Sequence, residues 1–209
     1  MSRLLDASKS FRKKEGRHQL RTENVAYCAF SVPNFEVPRS VAQRDAASRL
    51  SKFGLNRGAL QGRSVLDLGS NAGAMLLQAS NFGIRRGVGI EFDQDKVDLS
   101  NEIAAIAGLE MLEFKQGDVD KLDAAELGRF DVVMALAIEA HVLEPDHLFR
   151  LLADVTAERL VFEGNGGCDI QGAGNQFSDL GFASIEYLGF CDDDVRPANN
   201  KRPLLVAIK

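Results

Sequence analysis

Short apolar segments alternate with amphipathic segments along the chain from residue 63 onward. Runs rich in valine, isoleucine and leucine that end near a glycine or an acid are typical of buried strands, whereas apolar residues at helical spacing indicate helices. This pattern predicts strands over residues 63–69, 87–93, 111–118, 130–138, 159–165, 183–190 and 204–209. It predicts helices over residues 73–83, 94–108, 145–156 and 175–182.

The order of these elements predicts the fold class. The last two strands follow one another without a helix, so they should pair antiparallel, whereas strand–helix–strand connections give parallel pairing. We therefore expect an α/β fold with a doubly wound, mostly parallel seven-stranded sheet, an antiparallel last strand and helices on both faces. Ligands of such sheets bind at the carboxyl ends of the strands.

The segment before the first of these strands divides into two parts. Residues 1–22 form a basic leader that is either solvated and flexible or a grip for an anionic substrate, because blocks of like charge stay hydrated. Residues 23–60 combine an irregular apolar stretch with a helix predicted from about Ser40, and residues 61–209 form the main domain. The charged residues between positions 9 and 21 are Lys9, Arg12, Lys13, Lys14, Glu15, Arg17, His18 and Arg21.

A glycine loop, DLGSNAG at residues 67–73, follows the first strand of the main domain. Gly69 and Gly73 lie where a strand turns sharply into a helix, so the backbone can pass close to a ligand. Glu91 ends the next strand, where a carboxylate can accept both hydroxyls of a ribose. Asp118 ends the third strand, at a place where it can accept from the amino group of an adenine.

Two cofactors fit a glycine turn followed by such acids. A nicotinamide dinucleotide uses a glycine turn and an acid after the second strand, but its fingerprint is GxGxxG. In this chain the loop reads GxxxG and is preceded by an acid in the sequence DxG. The nicotinamide cofactor is therefore the weaker alternative.

The segments VLDLGSNAG, VGIEFD, QGDV and FDVVMAL resemble the successive motifs of the class I S-adenosylmethionine-dependent methyltransferases, over residues 63–209. The resemblance implies S-adenosyl-L-methionine as cofactor, with its methionine part at Asp67 and the loop 69–73, its ribose at Glu91, and its adenine at Asp118 and Val119. The cofactor-binding residues implied in this way are Asp67, Gly69, Ser70, Asn71, Gly73, Glu91, Phe92, Asp118, Val119 and Leu136. Asn71 stands where many members have a glycine.

The sequence after the fourth strand, ALAIEAHVLEPDH at residues 135–147, should contact the methyl acceptor. Enzymes that methylate amino groups of DNA or RNA bases often carry [N/D]PP[Y/F] here, and this chain lacks it. Histidine side chains ordinarily titrate near neutrality, so His141 is the candidate general base, with Glu139 as the residue that orients it or the acceptor. A packing role under the following helix is the alternative for His141.

Candidate acceptor contacts come from three other segments. Residues 26–54 precede the first motif, and in class I enzymes such a segment closes the acceptor pocket. VFEGN ends the fifth strand, and the hairpin loop at residues 196–202 offers donors that suit phosphate, carboxylate or sugar hydroxyls. The candidate residues are Tyr27, Arg39, Glu163, Asn199 and Lys201. Arg44 or Arg49 is a candidate for the cofactor carboxylate, and packing or a solvated loop is the alternative for each.

The composition of the chain indicates which ligands and which cellular location to expect. The chain has 209 residues and a net charge of −5, which argues against a broad nucleic-acid surface. Its three cysteines lack the spacing of a disulfide framework or a zinc site, so we expect no metal and a reducing, cytoplasmic location. We find no apolar run long enough for a membrane span. The sequence does not specify an oligomeric state.

Three functional hypotheses follow. The first is methyl transfer from S-adenosylmethionine to an oxygen, or secondarily a nitrogen, of a small polar or saccharide-like acceptor. The second is a tRNA- or RNA-modifying methyltransferase that uses the basic leader to bind RNA. The third is a non-catalytic partner subunit that binds the cofactor. The RD…R, EAH and VFEGN segments are similar, more loosely, to bacterial methyltransferases of saccharides or their phosphates and to the wobble-uridine tRNA-modifying group.

Overall fold

The computed structural model describes residues 1–12, 18–20 and 25–209. At the N-terminus, helix α1 covers Ser2–Lys9, and strand β1 (Ser10–Arg12) pairs antiparallel with β2 (His18–Leu20). Leu4 of α1 is buried in the main core. The predicted basic leader is thus partly helical, and the leader residues Lys13, Lys14, Glu15, Arg17 and Arg21 lie outside the described residues.

A small sheet precedes the main domain. Its strands are β3 (Ala26–Val32), β4 (Phe35–Val37) and β5 (Ala42–Asp45), in the order β4-β3-β5. The prediction of an irregular stretch and a helix from Ser40 was therefore wrong. Helix α2 (Ala46–Lys52) begins only after Asp45, whose side chain caps it by accepting a hydrogen bond from the Ser48 amide at 2.7 Å. Helix α3 covers Arg57–Leu60.

The central sheet has seven strands in the order β11-β12-β10-β9-β6-β7-β8. They are β6 (Ser64–Leu68), β7 (Arg86–Glu91), β8 (Leu112–Gln116), β9 (Phe130–Leu136), β10 (Thr156–Glu163), β11 (Ser184–Phe190) and β12 (Pro203–Ile208). Strand β12 pairs antiparallel with both of its neighbours, and the other pairs are parallel. The predicted fold class is confirmed, including the antiparallel last strand.

Helices cover both faces of this sheet. The remaining ones are α4 (Ala74–Ser80), α5 (Gln94–Ile106), α6 (Ala124–Leu127), α7 (Pro145–Val155) and α8 (Ile170–Asp179). Helices α2, α4 and α5 share one buried cluster with the sheet, and α6, α7 and α8 share the other. Helix α8 begins earlier than predicted because Asp169 caps it, accepting from the Gly172 amide at 3.0 Å.

The strand register aligns the carboxyl ends of β6, β7 and β9 at one edge of the sheet. Leu68 at the end of β6 is level with Ile90 of β7 and with Ala135 of β9. The loops that follow these three strands therefore leave the sheet side by side. In the part of the chain that the structure describes, no helix is long and apolar enough to cross a membrane.

Candidate active site

A cavity opens where β6, β7 and β9 end, and the small N-terminal sheet forms its opposite wall. It brings together most of the residues that the sequence motifs suggested. Its lining includes the predicted cofactor residues Asp67, Gly69, Ser70, Asn71, Glu91, Phe92, Val119 and Leu136, together with His141 and Tyr27. The other predicted residues, which do not line it, are Gly73, Asp118, Glu139, Arg39, Glu163, Asn199 and Lys201.

The loop between β6 and α4 has three residues in the left-handed backbone region. The φ angles are +76° at Gly69, +52° at Asn71 and +73° at Gly73, a region that glycine enters freely and asparagine more easily than most residues. The departure from the family pattern at position 71 is therefore compatible with the loop. The amides of Gly69 and Ser70 both donate to the Ile90 carbonyl at 2.9 Å, which fastens the loop to β7.

The glycines of this loop also permit close packing within the protein. A Cβ at Gly73 would lie 2.7 Å from the ring of Phe114, and one at Gly69 would overlap the side chain of Ile138. Sequence reasoning attributed both glycines to the approach of a ligand. The structure shows that Gly73, which does not line the cavity, is required by its φ angle and by its neighbours.

Glu91 connects the end of β7 to the glycine loop. Its Oε2 accepts a hydrogen bond from the Asn71 amide at 2.9 Å, and its Oε1 accepts one from the Asp93 amide at 3.1 Å. Each carboxylate oxygen can accept more than one hydrogen bond. Glu91 is thus held in the cavity wall in a fixed orientation and can still accept from a pair of hydroxyl groups.

Asp67 is a buried carboxyl group in the cavity wall, only 2 % exposed. Burial raises its pKa to about 7, the guanidinium of Arg49 opposes this rise, and the carboxylate of Glu91 adds to it. Asp67 therefore titrates near neutrality. It is suited to a ligand that brings its own positive charge.

The buried polar atoms of the cavity wall include a hydroxyl and a guanidinium nitrogen that have no hydrogen-bond partner among the described residues. They are the hydroxyl of Ser70 and Nε of Arg49. Buried polar groups are normally satisfied, so these two indicate a ligand that supplies an acceptor and a polar group. Asp67 and Arg49 offer one negative and one positive group to the same cavity, which fits the ammonium and carboxylate of an amino-acid moiety. The residues present thus fit the methionine part of S-adenosylmethionine.

Gly117 and Val119, which follow the edge strand β8, also line the cavity, and Asp118 lies between them in the sequence. The Asp118 side chain accepts a hydrogen bond from the Asp120 amide at 3.3 Å, and its Oδ2 lies 3.6 Å from Nζ of Lys121. It therefore begins the short turn that carries Val119. In this arrangement Asp118 is half-buried beside the cavity rather than in its lining.

The two candidate catalytic residues lie in one short helix. His141 lines the cavity, in a short 3₁₀ helix spanning Glu139–His141 that follows β9. Glu139 contacts Asn165: its carboxylate accepts from the backbone amide and, at 3.1 Å, from the side-chain amide of that residue. Burial raises the pKa of Glu139, and the hydrogen bonds from Asn165 oppose the rise. Glu139 therefore anchors the loop after β10.

Glu163 lies at the centre of a buried ion cluster. Its Oε1 receives Nη1 of Arg44 at 2.8 Å and Nη1 of Arg202 at 3.3 Å, while its Oε2 pairs with Arg49. Burial would raise the pKa of Glu163, but Arg49 and Arg44 outweigh it and lower the pKa to about 2. Sequence reasoning placed Glu163 at the rim as a substrate ligand. The structure instead buries it completely, holding the arginines in place.

The remaining predicted acceptor contacts lie in or around this cluster. Arg39 donates to the carbonyl oxygens of Ala42 at 2.8 Å and Asp193 at 2.6 Å, which joins the small sheet to the last hairpin. Asn199 donates to Oδ2 of Asp194 at 2.9 Å, and Lys201 is exposed. These three residues shape the last hairpin and its contacts rather than the cavity lining.

Arg202 is the residue of that hairpin loop that reaches the cavity, and our sequence reasoning chose Asn199 and Lys201 instead. Arg202 directly precedes β12, whose first residue Pro203 pairs with Phe190, so its position depends on how that hairpin docks. The sequence signal was only the basic loop. Tyr27 faces the same guanidiniums: burial raises its pKa, but Arg44, Arg49 and Arg202 together lower it.

Fold and site together define the class I methyltransferase architecture, and comparisons with known proteins agree. The magnesium protoporphyrin IX methyltransferase of Synechocystis PCC 6803, solved with S-adenosylmethionine bound, superposes with a TM-score of 0.63 at 18% identity, covering 78% of this chain and 77% of that one. At this identity the match supports the fold alone.

The family model of the methyltransferase domain matches residues 60–166. The chain therefore belongs to the methyltransferase domain family, and the predicted class I group is confirmed. A ribosomal protein L11 methyltransferase of Sorangium cellulosum is 40% identical over 41% of this chain and 26% of its own length. A release factor glutamine methyltransferase of Aliivibrio fischeri is 26% identical over 68% of this chain and 53% of its own. The chain thus spans about half or less of these relatives.

Proposed function

We propose that this chain transfers a methyl group from S-adenosylmethionine to an oxygen, or secondarily a nitrogen, of a small polar or saccharide-like acceptor. The observation that carries the proposal is the meeting of the glycine loop, Glu91 and the buried pair Asp67 and Arg49 at one cavity. When bound, S-adenosylmethionine supplies an electrophilic methyl group on its sulfonium. The protein's residues bind, orient and exclude water around it.

We assign the cofactor contacts from the charges on the cavity wall. Asp67 takes the ammonium of the methionine part and Arg49 takes its carboxylate, since each lies buried with the matching charge. Glu91 accepts from the ribose hydroxyls. Val119 and Phe92 provide apolar contact for the adenine. The half-buried Asp118 supports the turn that carries Val119 and accepts from the adenine amino group if its side chain rotates.

His141 is the candidate base on the acceptor side. It lines the cavity close to Leu136, at the end of the strand where the acceptor should lie. A hydroxyl acceptor needs its proton removed as the methyl group arrives, and an imidazole titrates in the range that suits this role. An acidic acceptor would need positioning only.

The central test is the binding of S-adenosylhomocysteine by titration calorimetry. Glu91→Ala should weaken binding about 10- to 100-fold, because the ribose hydroxyls lose a charged acceptor and the loop loses an anchor. Glu110→Ala removes an exposed acid away from the cavity and should leave the affinity unchanged. Native protein that gives no binding heat, or a Glu91→Ala variant that binds as native does, would overturn the proposal.

His141→Ala should lower the rate of methyl transfer by about 10²- to 10⁴-fold while the affinity for S-adenosylhomocysteine changes little. The measurement is release of S-adenosylhomocysteine with a panel of small hydroxyl compounds and saccharides. His147→Ala is the control, since His147 lies on α7 and does not line the cavity. An unchanged rate in the His141 variant removes the general-base role.

A protein acceptor is the second candidate, because both curated relatives are named for methylation of proteins. Transfer of a labelled methyl group to the macromolecular or the small-molecule fraction of a cell extract separates the two. Digestion of the macromolecular fraction with protease or ribonuclease then distinguishes a protein from an RNA acceptor. Cofactor binding without transfer to any fraction supports the non-catalytic alternative.

A further inference from the structure

Two guanidinium groups line the same cavity. Arg49 comes from α2 and Arg202 from the start of the last strand, so they approach it from different parts of the chain. Tyr27 of β3 lies in the same wall. In the strand order, β12 and β10 lie beside β9 on one side of β6, and β8 lies on the other side. Arg202 therefore approaches the cavity from the side of Leu136 and His141, whereas Gly117 and Val119 follow β8.

The carboxylates nearby do not use all the donors of these guanidiniums. Glu163 shares its two oxygens among three arginines, and Arg44 is also held by Asp194, 3.0 Å from its Nε. Among the described residues, the guanidinium of Arg202 donates a hydrogen bond to Oε1 of Glu163 at 3.3 Å and to no other side chain. That oxygen already accepts from Arg44 at 2.8 Å. A guanidinium has five N–H donors, so Arg202 can bind a further anion.

The cofactor accounts for only one of the two cationic groups. Under the proposed function its single carboxylate is bound by Arg49. The guanidinium of Arg49 lowers the pKa of Asp67, and its buried Nε has no hydrogen-bond partner among the described residues. Arg202 then remains on the acceptor side of the cavity. The side chain of this second guanidinium is only 13% exposed. Its positive charge attracts an anionic acceptor and repels a cationic one.

We propose that Arg202 and Tyr27 form a subsite for an anionic group, a carboxylate or a phosphate, of the methyl acceptor. This inference rests on the proposed function and names the class of its substrate. Arg202 supplies paired N–H donors to the anion, and the Tyr27 hydroxyl donates beside it. The three surrounding guanidiniums, which lower the pKa of Tyr27 against the effect of burial, make this wall favourable for negative charge.

The subsite can be tested by anion binding to the complex with S-adenosylhomocysteine. The probes are malonate for a carboxylate and inorganic phosphate for a phosphate, each followed by calorimetry and by the rise in melting temperature. Arg202→Gln should weaken the preferred probe about 10- to 100-fold, Arg202→Lys less, and Tyr27→Phe about 3- to 10-fold. Arg150→Gln, which removes an exposed positive charge on α7, should bind the probe as native does.

Different results would contradict the proposed function and the anion subsite. Absence of S-adenosylhomocysteine binding by the native protein contradicts the proposed function. If the complex forms but neither probe saturates it, or Arg202→Gln binds the probe with native affinity, the anion subsite is wrong. Loss of S-adenosylhomocysteine binding in both Arg202 variants, with melting transitions retained, would instead assign Arg202 to the cofactor. If Arg202→Gln does not fold, Arg202→Lys and Tyr27→Phe decide, and native affinity in both overturns the subsite.

Discussion

Replacing Glu163 with glutamine is expected to lower the free energy of unfolding by about 3–5 kcal/mol at pH 7. Glu163 is fully buried and its carboxylate pairs with Arg44, Arg49 and Arg202. A neutral amide leaves these buried guanidiniums without their shared anion, and an uncompensated buried charge is among the most destabilising changes in a protein. Urea denaturation of the native protein and the variant measures the difference.

The low pKa of Glu163 also determines how this contribution to the free energy of unfolding changes with pH. The folded-state pKa of Glu163 lies near 2, below its usual 4.5, so its carboxylate stabilises the fold above pH 4.5 and this stabilisation is lost as pH falls towards 2. The difference between native and Glu163→Gln should therefore shrink in acid. Glu158→Gln is the control, because its exposed pair with Arg63 should contribute at most about 1 kcal/mol. Equal, small effects of both substitutions would show that the buried cluster does not support the fold.

The same cluster links stability to the proposed chemistry. Arg49 and Arg202 line the cavity, and Glu163 behind them is their common anion. A buried ion pair adds little net stability compared with apolar packing, but it fixes the positions of its members. Glu163 is thus a positioning residue for two guanidiniums that lie in the proposed cofactor and acceptor subsites.

The central sheet could be predicted from the sequence because its signals are local. Buried runs such as those of β6 and β9 are nearly continuous in apolar residues, and β6 ends directly before Gly69. The small N-terminal sheet could not be predicted in this way. Strand β5 has only four residues, AQRD, whose burial comes from the ion cluster and the last hairpin rather than from an apolar pattern.

The candidate cofactor residues could be predicted because topology alone brings them together. The loop 67–73 and Glu91 end neighbouring parallel strands, so a correct fold class places them side by side. The charged wall depends on contacts between distant segments: Arg44 of β5 and Arg49 of α2 meet Glu163 of β10, and Arg202 meets the same carboxylate from the segment before β12. A basic loop in the sequence does not indicate which of its residues turns inward.

Replacing Asp67 with asparagine should have opposite effects on stability and on binding. A carboxyl pKa raised by burial from 3.8 to about 7 means that folding at higher pH forces a buried negative charge, which corresponds to about 4 kcal/mol. Asparagine removes this cost. The ligand-free variant should therefore be more stable than the native protein by about 2–4 kcal/mol at pH 8, with a difference that fades as pH falls from 7 to 4.

The affinity of the Asp67→Asn variant for S-adenosylhomocysteine should fall about 100-fold, because the ligand's ammonium loses its buried counter-charge. In the native protein this affinity should also rise as pH increases through 7, since the ammonium binds the ionised carboxylate. Asp154→Asn, an exposed substitution on α7, should alter neither quantity. Denaturation and calorimetry at pH 6 and pH 8 measure both. A variant that is less stable at pH 8 yet binds normally would mean that Asp67 supports the loop and does not contact the ligand.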